Sequence, residues 1–370
     1  MKNKFGASLY YASDKNIFDA LCRNRVNSET IQNMFQARNI LVSKKTERKD
    51  LASYFSRLPH DFDDHQNIAR SLGVIKRRER LASIEVKLSI SEDQLEKSIK
   101  NIKSNLEQEG DVVHKTQDFD KRSVLNIKYS SLDYRRPEFS QVQIRDGELL
   151  IIKIDGGYKI RSTCNAYLNS VRDSFISEME KQAGGAAVLD RISLFAATDV
   201  TKRSEFFHSL MFELPGYSVK DVREVFVYKK RPTSDDSEED EDEIPEKNYD
   251  AVDVHVERVL LRGNGVSRSK QLKDLIKRDP SSTDEPYYMV RVAWTVAEKA
   301  GWGNEYEIEA RFEDPEACAE FSYMLRSVRK MDVLSGKLNK TKIPPGIGEI
   351  DTISKVIEDH AKSLRDKLTK

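Results

Sequence analysis

Glu85-Val86-Lys87 sets a carboxylate and an amine two residues apart within Ile84–Ile90 (IEVKLSI), an alternating apolar run that predicts a strand. That spacing puts both side chains on one strand face. A carboxylate that holds a divalent metal beside a lysine that steadies an attacking water is one half of a phosphodiester-cleaving site. The other half, an acidic residue on an adjacent strand, is not legible: Asp61, Asp63 and Asp64 precede a helical stretch. Glu-x-Lys alone is common in alternating strands, so the expectation is a structural strand with no second carboxylate within metal-sharing reach of Glu85. His60-Asp61-Phe62-Asp63-Asp64-His65 gathers oxygen and imidazole donors, but acids following Pro59 read as a helix N-terminus. Gly263-Asn264-Gly265-Val266-Ser267 lacks the Gly-Lys-Ser/Thr ending of nucleotide loops and reads as a turn and cap. Ser204, His208 and Ser209 show no triad spacing, and neither a metal nor a cofactor is expected.

The residues suited to binding are cationic. Residues 1–80 hold 16 Lys+Arg against 9 Asp+Glu, although the whole chain balances 62 against 62. A basic segment attracts nucleic acid by neutralising phosphates and releasing counterions; the alternative is a solvated face. Within SETIQNMFQARNILVSKKTERKDLASYFSRL, residues 28–58, a helix, an extended link at Ile40–Val42, Ser43 with lysines and a second helix follow one another. This stretch resembles the SAP/LEM-like helix–extended–helix modules that often bind DNA. The resemblance implies a phosphate-facing side, which Arg38, Lys44, Lys45, Arg48 and Lys49 can line, with Lys76, Arg77 and Arg78 as a further exposed basic run. The rival is a helical hairpin with surface lysines. Glu85 and Lys87, in turn, resemble the Glu-x-Lys half of a PD-(D/E)xK-like nuclease and carry the alternative, catalytic reading.

Eight of the nine residues from Asp235 to Glu243 are acidic, between strand-like runs at Glu224–Lys230 and Val252–Leu261. A self-repelling run cannot pack, so residues 233–247 predict a disordered acidic loop thrown out of a sheet, able to act as a decoy or a partner hook. Charged residues make up 34% and apolar ones 38%, as in a soluble globular protein. No apolar stretch approaches the roughly 18 residues that span a bilayer. The N-terminus lacks the apolar core of a secretory signal, and Cys22, Cys164 and Cys318 are odd in number and far apart. The expectation is a cytoplasmic protein with reduced thiols and no membrane partner.

Positioning elements follow from periodicity. Residues 1–80 read as a basic helical module, with a cap at Asn27-Ser28, apolar spacing at Ile31, Met34 and Phe35, and again at Leu51, Tyr54, Phe55 and Leu58. Residues 83–185 read as an α+β sheet domain. Its helix after Ser91 carries Leu95, Ile99, Ile102 and Leu106, and Asp146-Gly147 and Asp155-Gly156-Gly157 mark hairpin turns. Residues 186–335 read as a second such domain, ending in a helix over Pro315–Arg329 with proline at its first position. Residues 346–370 form a C-terminal amphipathic helix.

The fold class is therefore α+β, and the function expected is a nucleic-acid-binding accessory or regulatory protein, with DNA the expected nucleic acid and a protein partner beside it. This make-up is like accessory subunits of multi-component prokaryotic systems, phage defence included. A metal-dependent nuclease and a protein-only adaptor working through the acidic loop are the alternatives.

Overall fold

Caps and apolar stripes set out the elements of the computed structural model, which describes residues 12–24, 26–72, 79–117, 122–135, 139, 141–197, 199–229, 258–277, 286–300, 303–332 and 335–369. The acidic stretch 233–247 and Lys76, Arg77 and Arg78 lie outside these residues. The chain is an α+β protein of helices and antiparallel sheet. It divides into two compact units: residues 1–77, 90–150 and 174–184 in the first, and 78–89, 151–173 and 185–370 in the second.

The first unit opens with α1 (Asp14–Leu21), α2 (Ser28–Gln36), α3 (Arg48–Ser56) and α4 (Phe62–Ser71). Ser13 and Asn16 form a reciprocal capping box on α1, and Asn27 accepts from the Thr30 amide at 2.7 Å to start α2. Ile17, Leu21, Val26, Ile31, Phe35, Leu51, Phe55 and Ile68 make the helical core, with Phe35 and Phe55 edge to face at 5.1 Å. The chain then enters the second unit through β1 (Leu81–Lys87) and returns to the first. There α5 (Glu92–Gln108) starts at a Ser91–Gln94 capping box and buries Leu95, Ile99, Ile102 and Leu106. An antiparallel pair, β2 (Val112–Gln117) and β3 (Ser123–Leu132), comes next.

β4 (Val142–Ile154) begins in the first unit and ends in the second. It runs straight through Asp146-Gly147, where turn chemistry predicts a hairpin; a dipeptide preference yields when the flanking residues are all held in one extended segment. The expected turn at Asp155-Gly156 does form, between β4 and β5 (Gly157–Thr163), with Gly156 at φ +79°. At Gly157 an added Cβ would lie 2.1 Å from the Val86 carbonyl oxygen, so only glycine lets β5 approach β1 this closely. α6 (Ala166–Ala183) buries Leu168, Val171, Phe175, Ile176 and Met179.

The second unit is built on the strand order β5-β1-β11-β10-β9-β7-β8, where β7 is Tyr217–Tyr228, β8 Arg258–Arg262, β9 Tyr288–Glu298, β10 Glu305–Asp314 and β11 Ala319–Arg329. The short β6 (Val188–Arg191) pairs with β1, placing Asp190 opposite Glu85; on the other side of β1, Lys159 of β5 faces Glu85. Phe206, Phe207 and Leu210 of α7 (Val200–Phe212) join Trp294, Ile308 and Phe312 of the sheet and Ile353, Ile357, Ala361 and Leu364 of α9 (Ile347–Leu368) in one core. A small helix, α8 (Lys270–Ile276), follows β8. Residues 315–329 are not the predicted helix: 315–318 form a turn and Ala319–Arg329 is β11. Apolar Phe321, Tyr323 and Leu325 recur at the period of a strand, and pairing with β10 overrides the helix-start preference of Pro315.

Candidate functional site

The basic residues between α2 and α3 divide by what their side chains touch. Arg38 bonds His60 Nδ1 at 3.0 Å, pairs with Asp64 and lies over the Phe55 ring, 4.8 Å from its centroid. Asp61 and Asp64 exchange backbone-to-carboxylate hydrogen bonds of 2.9 and 3.1 Å at the start of α4, so the acids after Pro59 begin a helix. Burial and the Arg38 charge hold the His60 imidazole below its usual range, favouring the neutral ring. Burial opposes ionisation of Asp64, but the Asp61 amide and Arg38 outweigh it and lower its carboxyl below the ordinary value. Arg48 donates to the carbonyls of Arg23 and Val26 at 2.8 and 2.9 Å and to that of Cys22 at 3.1 Å, closing the exposed C-terminal end of α1. Lys44, Lys45 and Lys49 are exposed, and among the described residues none of them forms an ion pair. Glu47, the residue before α3, makes no side-chain cap hydrogen bond to the first amides of that helix.

Glu85 lies on the half-buried face of β1, and Lys87 is exposed on the same face. The expected isolation of Glu85 is not what the fold produces. Lys362 of α9 reaches Glu85 at 2.5 Å and Asp190 at 3.3 Å, so one ammonium touches carboxylates on adjacent strands. Lys159 lies 3.6 Å from Glu85 and 3.1 Å from Asp359, and Arg365 pairs with Asp190. Deeper, Arg161 meets Glu358 with Nε at 2.7 Å and Asp351 at 2.7 Å, while the Tyr323 hydroxyl donates to Glu358 at 2.5 Å. Burial opposes the charge of Lys362, yet Glu85 and Asp190 raise its affinity for a proton above the ordinary lysine value. Burial likewise opposes ionisation of Asp190, and Arg365 and Lys362 lower its carboxyl below the usual range. An open depression of about 650 Å³ is lined here by Glu85, Asp359, Lys362, Ser363, Asp366 and Lys367. Its chemistry is that of paired charges: the position between Glu85 and Asp190 that a cation would take is filled by the lysine.

A second ionic group covers the sheet face away from α7 and α9. Glu224 of β7 accepts from Arg291 at 2.9 Å and from Arg326 at 3.0 Å, and Arg326 also pairs with Glu309 at 2.8 Å. Arg80 pairs with Glu313 at 2.8 Å, and Arg311 adds a further pair. Burial raises and these arginines, with Ser322, lower the Glu313 carboxyl, leaving it at about 2. No motif marks these residues, but Glu305, Glu307, Glu309, Arg311 and Glu313 alternate in the sequence EYEIEARFED, a period-two charged face. Asp190 and Lys362 carry no such local signal, because they meet Glu85 only through the fold.

The remaining motifs resolve as structure. The Gly265 amide donates to Asp221 Oδ1 at 2.8 Å, so a carboxylate of the chain itself takes up that amide in the turn at Gly263–Ser267. Ser204 accepts from the Met289 amide at 3.1 Å, Ser209 bonds Glu213 at 3.2 Å and His208 stacks on Phe212 at 4.7 Å, three separate local uses. Trp294 is fully buried in the sheet core, and Trp302 lies outside the described residues. Among the described residues no helix is long and apolar enough to cross a membrane, and no three metal-ligating side chains group together. Comparison of the sequence with models of known protein families and with curated proteins gives no match.

Proposed function

We propose that this protein binds nucleic acid, DNA foremost, through the exposed lysines of its N-terminal helical unit, and serves a protein partner as an accessory factor. The observation that supports this reading is the division of labour in residues 38–49. Arg38 and Arg48 spend their guanidinium groups on holding the helices together, while Lys44, Lys45 and Lys49 stand exposed around the uncapped start of α3. Phosphate oxygens suit both the ammonium groups and the free amides of a helix start. Catalysis at Glu85 is the weaker reading, because a metal there must displace a lysine that two carboxylates hold charged. The test is a binding titration of labelled DNA at several salt concentrations with wild type and Lys44→Ala/Lys45→Ala/Lys49→Ala. The variant is expected to bind more weakly, with a salt slope shallower by up to roughly 0.9 for each duplex phosphate that the missing ammonium groups no longer neutralise. Unchanged affinity at every salt concentration would remove this function and favour a protein-only adaptor.

A further inference from the structure

His60 sits among three elements of the helical unit, and its side chain is 5% exposed, so a phosphate cannot reach the ring itself. Arg38, just after α2, donates from Nη2 to His60 Nδ1 at 3.0 Å, and His60 Nε2 lies 3.0 Å from the Phe55 carbonyl oxygen of α3. A guanidinium only donates and a carbonyl only accepts, so Nδ1 is the bare nitrogen and Nε2 carries the hydrogen. The ring is therefore held in one neutral tautomer. α3 also presents the Phe55 ring, 5.0 Å from His60 between centroids. From α4 the groups facing His60 are His65, with ring centroids 6.3 Å apart, and the Asp64 carboxylate, whose Oδ2 lies 3.8 Å from Nδ1. Arg38 Nη2 pairs with that same oxygen, so one nitrogen bridges the imidazole and the carboxylate.

We propose that His60 is a proton-operated latch on Arg38: as the neutral ring it keeps the guanidinium docked on the helical core, and as imidazolium it takes the Asp64 carboxylate and frees Arg38 for a phosphate. The inference rests on the nucleic-acid reading above and gives it a regulation by acid. A proton on Nδ1 removes the acceptor that Arg38 uses and sets two cations 3.0 Å apart. The new N–H needs an acceptor, and Asp64 Oδ2 comes within bonding range after a shift of about 1 Å. That oxygen already accepts from the Asp61 amide at 3.1 Å and from Arg38, two donors for two lone pairs. A third donor displaces one of them. The Asp61 amide belongs to the backbone that starts α4, whereas the Arg38 side chain is 20% exposed and free to turn toward solvent. Asp64 keeps its charge as the ring titrates, since the Asp61 amide and Arg38 hold its carboxyl below the ordinary value against the opposing effect of burial. Acid thus converts a structural arginine, in the same segment as Lys44, Lys45 and Lys49, into one more cation for a phosphate backbone.

The experiment joins two measurements on the full chain. Heteronuclear NMR of histidine- and arginine-labelled protein follows the His60 ring, identified by its loss in His60→Gln, from about pH 8 to about pH 5, a range that brackets the ordinary histidine value. His60 is expected to show the Nε2–H tautomer at the upper end, and the Arg38 side-chain N–H signal to move with the midpoint of the ring. DNA binding is then measured across a salt series at both ends of that range. Wild type is expected to gain roughly 0.9 in salt slope in acid, one duplex phosphate. His60→Gln, which supplies an acceptor that never takes the charge, and Arg38→Ala are each expected to lack that increment. An Nδ1–H tautomer at the upper end, an Arg38 signal that ignores the titration of the ring, no acid increment in wild type, or an increment of equal size in His60→Gln overturns the latch. Should wild type bind no DNA at either pH, the proposed function falls and the NMR titration alone decides the latch.

Discussion

The helical unit and the sheet unit use the same charged residue types in opposite ways. In the sheet unit Arg161, Arg291, Arg326, Lys159 and Lys362 each meet at least one carboxylate, and Glu224, Glu309 and Glu358 each meet at least one cation. In the helical unit Arg38 and Arg48 are similarly engaged, but Lys44, Lys45 and Lys49 are not paired among the described residues. A zero net charge thus says little about what the molecule can attract. The availability of a charge depends on what the fold places next to it, and that difference is what supports the proposed binding role of the lysines around the start of α3.

The largest effect that would sharpen this contrast is at the bottom of the sheet network. Glu358 is 2% exposed and accepts from both Arg161 and Tyr323. Glu358→Ala leaves a buried guanidinium without its main partner, and removal of one member of a buried pair costs about 3–5 kcal/mol. Urea unfolding should show that loss; a change below about 1 kcal/mol would make the network a surface feature and blur the difference between the units.

Acid should act on the same unit. The folded Glu313 carboxyl sits at about 2, below its unfolded value, so the unfolded chain binds the proton more readily. Its contribution to stability is therefore complete above about pH 5 and is lost as the pH falls toward 2. Glu313→Gln should flatten the fall in melting temperature over that window. A parallel fall in variant and wild type would show that Arg80 and Arg311 do not hold the carboxyl charged.

A smaller, sharper test concerns Glu85. With Lys362 between Glu85 and Asp190, wild type incubated with DNA and Mg²⁺ or Mn²⁺ is expected to leave the DNA intact in a gel assay. Cleavage that disappears in both Glu85→Ala and Asp190→Ala would turn the lysine-bridged pair into a metal site and end the view of the sheet charges as structural.

What the sequence discloses follows the range of the interactions involved. The capping box at Ser91–Gln94 and the stripe from Leu95 to Leu106 are legible because both act within a few turns. Local preference misleads at the Asp146-Gly147 turn and the Pro315 helix because strand pairing overrides it, although the alternation of Phe321, Tyr323 and Leu325 already carries the strand period. The basic residues of the link are visible, but the structural roles of Arg38 and Arg48 depend on His60, Asp64, Cys22 and Val26, 22 to 26 residues away. The meeting of Lys362 with Glu85 spans 277 residues and has no local signature.

The central claim is that phosphates meet the exposed lysines of the helical unit and not the sheet unit, where lysines and arginines meet carboxylates. It is tested most directly by the salt dependence of DNA affinity in three proteins: wild type, Lys44→Ala/Lys45→Ala/Lys49→Ala, and the control Lys330→Ala/Lys342→Ala, whose lysines pair with Glu349 and Glu307. The account predicts a weaker affinity and a shallower slope in the first variant, with the control overlaying wild type. A control that loses slope while the helical variant keeps it would contradict the account.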